Sequence, residues 1–594
     1  MRYGADINNA IDMSREALKG NPDKDKLEAI VKEMELRTAD ELNPPIDDTF
    51  MEKLARNTNK VAFLWLLTSV KSAANQMFSV VNFTLPTLAA RYGWGNAMFE
   101  MGKYMALGYG QLGIVKKLPD GTTTWVPPTI GLSDRVAKNP EEQRAYQRMQ
   151  DMGISDMTRT YDLFLRRGAP SVNYNSRWSA VTNTMGALFH HSERISREIT
   201  FMSSFRLAKQ SGQTFEQAID SATRDVNTAL FDYSAWNRPR ALRAAPVRVV
   251  TQFKQFPMYV TLYLARNGYQ LIKAGATAQE RKEAASMLFG TLGFTALLAG
   301  TAGLPTYSLI MGIIQGIRNA LRDDDEEDPL PEMDTELWFR NIFLPEFFGD
   351  NTIMGMKLSE LIDSGVLNAA TGYDVASGVS LNNMWFHDTP DASNWKGAFD
   401  STMISIMGPG ASVARNWVAS VDDFNNGQYL KGMEKLSPAF FRGGITATRF
   451  GTEGALATTG AEIKGADDFT YAQLVAQTMG YKTTGLAQIM NNNFVIQQKV
   501  NGLKSERAGL LKKLDIAFES GNDSDVESIL DDIDNFSGKY PSYKIKPSEI
   551  SASMKAREKV RRKSEAGLYL DKRARDFADL RERAISNLEA ETEK

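Results

Sequence analysis

Apolar positions recur at helical spacing along most of the chain. Leu27, Ile30, Val31 and Met34 fall on one side of a helix, and a similar run extends over residues 500–514. This pattern is typical of amphipathic helices that bury one side against their neighbours. It predicts a mostly α fold with a large multi-helix architecture, for which an elongated shape is one option.

One short β-hairpin is predicted near residues 114–127. Ile114 and Val115 lead into the sequence Pro119-Asp120-Gly121, and a run rich in β-branched residues leads out again over residues 122–126. Asp-Gly is a turn pair that tolerates positive φ, so two antiparallel strands are expected on either side of it.

Changes in composition divide the chain into five predicted parts. They are an N-terminal helical segment (1–60), a helical core (61–320), an acidic linker (321–334), an irregular region rich in Gly and aromatic residues (335–470) and charged C-terminal helices (471–594). The first residues show no apolar core of a secretory signal. The abrupt helical start is also compatible with a C-terminal portion of a longer polypeptide.

An apolar segment without Asp, Glu, Lys, Arg or His extends over residues 284–317. Gly303-Leu304-Pro305 should break it into a hairpin. The first arm, residues 284–302, reaches roughly 28 Å as a helix, close to a bilayer core of about 30 Å. The second arm is too short to span a bilayer alone.

Two interpretations of this segment stay open, namely a buried helical hairpin and a segment that inserts into a membrane. Its many small residues would allow close helix packing in both cases. The mean hydropathy of −0.33 indicates that the rest of the chain is polar, so a segment that inserts only in one state fits both facts. The candidates for membrane insertion are Leu288, Phe289, Phe294, Leu297, Leu298, Leu309, Ile313 and Ile314.

Composition excludes several classes of chemistry. With 0 Cys among 594 residues, the chain has no disulfides, thiolate metal sites or cysteine nucleophiles. Only 3 His are present, which makes a hydrolase or zinc enzyme less favoured. The formal net charge of −3 leaves any electrostatic binding of nucleic acid to local patches.

Motifs that bind phosphate or catalytic zinc are missing from the sequence. There is no GxxxxGK[ST], no GxGxxG after a strand and no HExxH. His190, His191 and Glu193 are close in sequence but have no third ligand nearby, so a metal site there is not favoured. No catalytic residue, metal ligand or cofactor is therefore expected, and the chain is predicted not to be an enzyme.

Basic residues interleaved with aromatic residues are candidates for contact with nucleic acid. Val249, Phe253, Phe256, Val260 and Leu264 nevertheless follow one side of a helix, so most of these aromatics are expected in the core, with a kink at Pro257. The candidates for nucleic-acid or partner contact here are Arg238, Arg240, Arg243, Arg248 and Lys254.

The densest positive patch lies near the C-terminus. Most charge runs are solvated helix faces, but this one is also a candidate for contact with DNA, anionic lipid or an acidic partner. The acidic run over residues 323–328 is a candidate partner for this patch within an oligomer. The patch consists of Lys555, Arg557, Lys559, Arg561, Arg562 and Lys563.

Several short islands resemble the large polyvalent-protein-associated domain of bacteriophage internal virion (DNA ejection) proteins. The most specific island covers residues 231–257, with family-motif positions Asn237, Pro239, Phe253, Phe256 and Pro257. Weaker islands are residues 193–198 followed by Phe201 and Phe205, and residues 541–547 followed by Ser553, Arg557 and 567–573. The resemblance spans roughly residues 60–575 and rests on these short islands.

This resemblance implies a structural protein held in the virion interior and ejected with the genome to help form a conduit across the host cell envelope. The implied partners are other virion proteins, further copies of the chain, the host inner membrane and genomic DNA. One alternative is a scaffold or portal-core protein of the phage head that meets no membrane. A second is part of a larger phage polyprotein with an unrecognised hydrolase activity.

Overall fold

The structure is a computed structural model that describes residues 11–16, 19, 24–42, 50–110, 114–117, 123–126, 139–156, 177–233, 247, 249, 251, 253–305, 307, 339–348, 351–353, 355–382, 409–456, 462–521 and 523–565. Most of these residues are helical, and the described strands form three two-stranded antiparallel sheets. The predicted mostly α fold is confirmed. The chain divides into two compact units, one made of residues 1–388 and 403–492 and one made of residues 389–402 and 493–594.

The first unit begins with helices that alternate with short connections. In chain order they are α1 (Lys24–Leu42), α2 (Phe50–Leu67), α3 (Val70–Ser79), α4 (Leu85–Tyr92), α5 (Trp94–Gly110), α6 (Pro140–Asp151), α7 (Arg177–Gln210), α8 (Phe215–Ala229), α9 (Gln255–Ile272) and α10 (Ala278–Ala299). A π-helix, Val80–Thr84, joins α3 to α4. In most of these helices apolar residues recur at helical spacing, which lets each helix bury one side.

The predicted β-hairpin is confirmed. Strands β1 (Ile114–Lys117) and β2 (Thr123–Val126) pair antiparallel, with Ile114 opposite Val126 and Lys117 opposite Thr123. The turn residues Pro119-Asp120-Gly121 lie outside the described residues.

Shorter elements complete the first unit. They are a π-helix (Phe339–Phe343), α11 (Leu344–Phe348), β3 (Thr352–Ile353), β4 (Met356–Lys357), α12 (Leu358–Thr371), α13 (Pro409–Asn425), α14 (Tyr429–Leu436), α15 (Ala439–Glu453), β5 (Ala455–Leu456), β6 (Glu462–Lys464) and α16 (Tyr471–Thr478). The short 3-10 helices are Ile154–Asp156, Thr301–Gly303, Ala376–Gly378, Ala466–Asp468 and, in the second unit, Pro541–Tyr543.

Helix α7 lies at the centre of the main hydrophobic core. It packs against α3, α5 and α8, and its side chains Ile199, Phe201, Met202 and Phe205 are almost wholly buried. A second cluster joins Phe83 of the π-helix to Val260 and Tyr263 of α9, Met287 of α10 and the residues after α8. Burial of each large apolar side chain contributes about 1.5–3 kcal/mol, so these clusters hold the helices together.

Helices α10 and α12 cross at two glycines. Gly300 ends α10 with a φ of 68°, and Gly365 interrupts α12 with a φ of 77°. A side chain on Gly365 would lie 2.5 Å from the carbonyl oxygen of Leu298 and from the backbone nitrogen of Gly300. The two helices therefore meet backbone to backbone, which only glycine permits at this place.

The second unit has a small core of its own. It takes residues from α17 (Thr484–Ser520), whose first part belongs to the first unit, and contains α18 (Asp523–Lys539) and α19 (Pro547–Glu565). Leu503, Leu510, Leu511, Leu514, Ile533, Phe536 and Ile545 are buried together. Gly521 follows the end of α17 with a φ of 64°.

Candidate functional site

Helix α10 contains the first arm of the predicted apolar segment. It begins earlier than that segment, because Thr277 and Glu280 form a capping box: the Thr277 hydroxyl accepts from the Glu280 backbone, and the Glu280 carboxylate accepts from the Thr277 backbone at 2.7 Å. It ends at Ala299, three residues before the predicted end, because Gly300 takes a positive φ.

One side of α10 is buried. Ala284, Met287, Thr291, Thr295 and Leu298 face the protein interior, where α10 packs against α4, α9 and α12. The threonine hydroxyls on this side have partners, since Thr295 donates to the carbonyl oxygen of Thr291 at 2.8 Å. This half of α10 is ordinary protein core.

From Ala284 onward, the opposite side of α10 is open and uncharged. Phe289 is 63% exposed and Leu297 is 51% exposed. Between them lies a groove of about 530 Å³. Its lining residues, none of them charged, are Trp94, Ala285, Ser286, Phe289, Gly290, Gly293, Phe294 and Leu297.

Trp94, at the start of α5, forms the wall of this groove. Its ring lies 5.9 Å from the ring of Phe294, centroid to centroid. Gly290 allows the approach, because a Cβ there would lie 2.8 Å from the Trp94 ring. One turn further along α5, Met98 and Phe99 are exposed as well. We call Trp94, Met98, Phe99, Phe289 and Leu297 the apolar face.

The predicted insertion residues divide between the core and this face. Phe289 and Leu297 are exposed, whereas Leu298 is buried and Leu288 and Phe294 are half-buried. Leu309, Ile313 and Ile314 lie outside the described residues.

No helix among the described residues combines the length and the apolar composition that crossing a bilayer requires.

Four of the aromatics interleaved with the basic stretch, Phe231, Tyr233, Phe256 and Tyr259, belong to the second hydrophobic cluster, in line with the expectation for most of them. Phe231 is buried, and Phe256 and Tyr259 pack against the second hydrophobic cluster. The rings of Phe231 and Tyr259 are stacked at 5.7 Å. These rings are therefore not available for stacking on bases. Lys254 is half-buried, and Arg238, Arg240, Arg243 and Arg248 lie outside the described residues.

The break predicted at Pro257 falls slightly earlier in the chain. Phe253 and Lys254 form a turn, α9 begins at Gln255, and Pro257 is buried in the first turn of that helix. A proline removes no helical hydrogen bond at that position, because the first four backbone N–H groups have no partner inside the helix. The expected helical side is confirmed by Val260, which is fully buried.

Two of the islands that carry the resemblance are in contact. Arg197, wholly buried, donates from Nη2 to the carbonyl oxygen of Phe231 at 2.7 Å. The Phe231 ring packs edge-on against Phe256 at 6.2 Å. Described residues of 193–198 and of 231–257 are thus in contact, and Pro257 is buried while Phe253 is half-buried. Asn237 and Pro239 lie outside the described residues.

Two of the C-terminal basic residues have described side chains. Lys555 is exposed, and Arg557 is half-buried and donates from Nε to the Ser553 hydroxyl at 3.4 Å. The remaining four, Lys559, Arg561, Arg562 and Lys563, lie on the same helix, α19.

A set of buried charges around α7 was not foreseen from the sequence. Asp225 is wholly buried and accepts from Arg91 and, at 2.6 Å, from the Ser204 hydroxyl. Burial nevertheless raises the pKa of Asp225 above its usual value. Glu100 accepts from Gln210 at 2.8 Å, and Glu142 lies 3.9 Å from Arg206. Each of these carboxylates has a partner, as a charge buried between packed helices requires.

The histidine pair forms no recognisable metal centre. His191 is exposed and His190 half-buried, with Glu193 buried on the same helix. Within the described ranges, no group of three or more His, Asp or Glu side chains could hold a metal ion.

The geometry therefore offers an uncharged apolar face as the candidate functional site of this chain. Comparisons of the chain with protein-family models, with curated proteins and with solved structures find no match.

Proposed function

We propose that this chain is a structural protein of a bacteriophage particle, held inside the head and ejected with the genome to help form a conduit across the host envelope. In this role the apolar face contacts the host inner membrane. The contact between two of the resembling islands supports the proposal, since Arg197 donates to the Phe231 carbonyl and the Phe231 ring packs against Phe256.

The observation that carries the proposal is the apolar face itself. Phe289 and Leu297 are more than half exposed beside the exposed Trp94, in a stretch of α10 without charge. A contiguous exposed apolar patch marks a surface that contacts a membrane or another protein. Covering the Phe289 and Leu297 side chains would contribute about 1.5–3 kcal/mol each when burial is complete.

The second candidate is a scaffold or portal-core protein that contacts only other virion proteins. The buried side of α10 favours it, since Met287 and Leu298 belong to the protein's own core. In this case the apolar face binds a sibling protein in the head.

Vesicle flotation separates the two candidates. We expect the full chain to float with vesicles of phosphatidylethanolamine and phosphatidylglycerol. A Phe289→Asp, Leu297→Asp variant should stay at the bottom of the gradient, because two carboxylates on the face oppose insertion. The matched control is Leu262→Asp, Ile272→Asp, which alters two exposed apolar residues of α9. Equal flotation of all three proteins would contradict contact through the apolar face, and failure of the unaltered chain to float would contradict membrane contact.

Leu298 is unsuitable for this test because its side chain is 9% exposed and faces the core. An aspartate there buries an unpaired charge and should lower the thermal midpoint. A melt monitored by circular dichroism should therefore separate Leu298→Asp from Leu297→Asp.

Whether this chain is part of the phage particle needs a separate measurement. Mass spectrometry of purified particles made by a phage that encodes this chain should detect it before infection. The membrane fraction of infected cells should contain it afterwards. Absence from the particles would overturn the proposed function.

A further inference from the structure

A polar pocket lies where the end of α4 meets α8, α10 and the turn between α7 and α8. Its volume is about 430 Å³, within the range of about 300–1,000 Å³ that is usual for small-molecule sites. Its lining consists of polar and charged residues, among them Arg91, Tyr92, Gln213, Ser221, Arg224 and Glu283. We call this cavity the polar pocket.

Arg91 is held in place by a buried carboxylate. Asp225, wholly buried on α8, accepts from Nη1 of Arg91 and, at 2.6 Å, from the Ser204 hydroxyl. A guanidinium has several N–H groups, and among the described residues Asp225 is the only hydrogen-bond partner of the Arg91 side chain. Because 24% of that side chain is exposed, Arg91 presents its unused donors to the polar pocket from a fixed position.

Arg224 brings a second guanidinium to the polar pocket. It precedes Asp225 on α8, it is exposed, and its side chain has no ion pair or hydrogen bond within the part of the chain that the structure describes. Gln213 adds a further donor. Its Oε1 accepts from the Ser221 hydroxyl at 2.9 Å, and its Nε2 has no described partner.

Glu283, on α10, is the one carboxylate among the lining residues of the polar pocket. Its Oε1 accepts from Nε2 of Gln279 at 2.8 Å, and no Lys or Arg of the described ranges lies within ion-pair distance of it. Burial, and then the Asp225 carboxylate, raise the pKa of Tyr92, so its hydroxyl stays neutral. The polar pocket therefore offers two cations from α4 and α8 and one anion from α10.

We propose that the polar pocket binds a small zwitterion that joins a phosphate ester to a primary amine, as in phosphoethanolamine. The phosphate oxygens accept from Arg91, Arg224 and Gln213, and the ammonium group donates to Glu283. Charge-assisted hydrogen bonds from guanidinium groups are strong and match the geometry of phosphate. A phosphate also has more oxygens than a carboxylate to satisfy donors that come from three segments of the chain.

The polar pocket is close to the groove beside the apolar face. Glu283 precedes Ser286 by three residues, Tyr92 precedes Trp94 by two, and both Ser286 and Trp94 line the groove. A phosphoethanolamine group therefore has two possible sources, namely a free ester and the headgroup of a lipid whose acyl chains lie along the groove. The inference does not rest on the proposed function, because a free ester requires neither a phage particle nor a membrane.

Isothermal titration calorimetry of the full chain with O-phosphoethanolamine tests the polar pocket. We expect saturable binding of one molecule per chain. Arg224→Gln removes an exposed cation without a described partner, so the chain should fold as before. Its affinity should fall about tenfold or more, as expected for loss of one charge-assisted hydrogen bond. The matched control, Lys282→Gln, removes an exposed cation of α10 outside the lining and should leave the affinity unchanged.

A second variant tests the recognition of the amine. Glu283→Gln keeps an oxygen for Gln279 but removes the negative charge. It should weaken binding of O-phosphoethanolamine about tenfold and should not weaken binding of inorganic phosphate, which has no ammonium group. Arg224→Gln should weaken binding of both. The matched control is Asp220→Asn, which removes an exposed carboxylate of α8 outside the lining.

Vesicle flotation distinguishes the two sources of the ligand. If the lipid headgroup is bound, Arg224→Gln should float less than the unaltered chain with vesicles of phosphatidylethanolamine and phosphatidylglycerol. Soluble O-phosphoethanolamine should then compete with the vesicles. If both proteins behave alike in flotation while calorimetry shows the expected loss, the ligand is the free ester.

Any of three results would overturn the inference. Absence of saturable binding of O-phosphoethanolamine to the unaltered chain at millimolar concentrations excludes this class of ligand. Equal affinity of the unaltered chain and Arg224→Gln excludes the polar pocket as the site. Equal affinity of the unaltered chain and Glu283→Gln, or tighter binding of β-alanine, which carries a carboxylate in place of the phosphate, excludes a zwitterionic phosphate ester.

Discussion

Arg197 and Phe231 are joined by a hydrogen bond of 2.7 Å from the guanidinium Nη2 to the main-chain carbonyl oxygen. The arginine side chain is wholly buried, and Glu193 lies 3.7 Å from it on the same helix. Phe231 has a φ of 55°, an uncommon conformation for a residue with a bulky side chain. The guanidinium thus holds a strained residue two positions after the end of α8.

Replacing Arg197 should destabilise the first unit strongly. Arg197→Met leaves the Glu193 carboxylate buried without this cation and the Phe231 carbonyl without its donor. We expect a loss of about 3–5 kcal/mol in the free energy of unfolding, as for other broken buried pairs. Arg197→Lys keeps the charge but not the planar fork, so its loss should be smaller. Chemical denaturation measures both, and a loss below about 1 kcal/mol for Arg197→Met would contradict the role of this contact.

The crossing of α10 and α12 gives a second prediction. Gly365→Ala places a methyl group 2.5 Å from the Leu298 carbonyl oxygen, in a conformation with positive φ. Gly372→Ala is the matched control, because Gly372 also has a positive φ but open space around its Cβ position. We expect the control to cost about 1–2 kcal/mol and Gly365→Ala about 1–3 kcal/mol more. If thermal melting gave the same loss of stability for Gly365→Ala and Gly372→Ala, the close backbone contact at the crossing would be contradicted.

Tyr146 predicts a dependence on alkaline pH. Burial, together with the nearby Glu198 carboxylate, raises the pKa of Tyr146 to about 12. An unfolded tyrosine ionises near about 10, so the stability that Tyr146 contributes is complete below that pH and is lost as pH rises toward about 12. Tyr146→Phe should lose less stability over this range than the unaltered chain. Tyr471→Phe, which alters a highly exposed tyrosine, should behave like the unaltered chain in the same denaturation series.

Removing the partner of Asp225 should produce a defect that acid relieves. Arg91→Met leaves a wholly buried carboxylate with the Ser204 hydroxyl as its remaining described donor. We expect a cost of about 3–5 kcal/mol at neutral pH. Because burial already raises the pKa of Asp225, this carboxyl should bind a proton more readily in the variant, and the deficit should shrink as pH falls. A deficit that is unchanged or larger at lower pH would contradict this account.

The limits of sequence reasoning are clear at α10. Its apolar composition and the break near Gly303 could be predicted, because both follow from local sequence. The side of α10 that faces solvent could not be predicted, because a helix that is apolar on all sides has no periodic pattern that indicates its orientation. Only the packing of α4, α9 and α12 makes Leu298 a core residue and leaves Leu297 exposed.

The buried charges show a different limit. Arg197 and Glu193 lie in a charged stretch that resembles a solvated helix face, because charged side chains are rarely buried unless paired. Their partners, such as the Phe231 carbonyl, are distant in sequence and are brought close only by the fold. Trp94 was missed for a similar reason, since a single aromatic at a helix start gives no pattern.

The glycine crossing also restricts how α10 can meet a bilayer. Its C-terminal end is fixed where the backbones of Gly300 and Gly365 touch, so end-first translocation would have to separate two main chains. A sideways approach disturbs none of these contacts, because Phe289 and Leu297 already lie along the flank of the helix. An apolar partner would therefore meet this helix parallel to its axis, as peripheral helices lie at the lipid headgroup boundary.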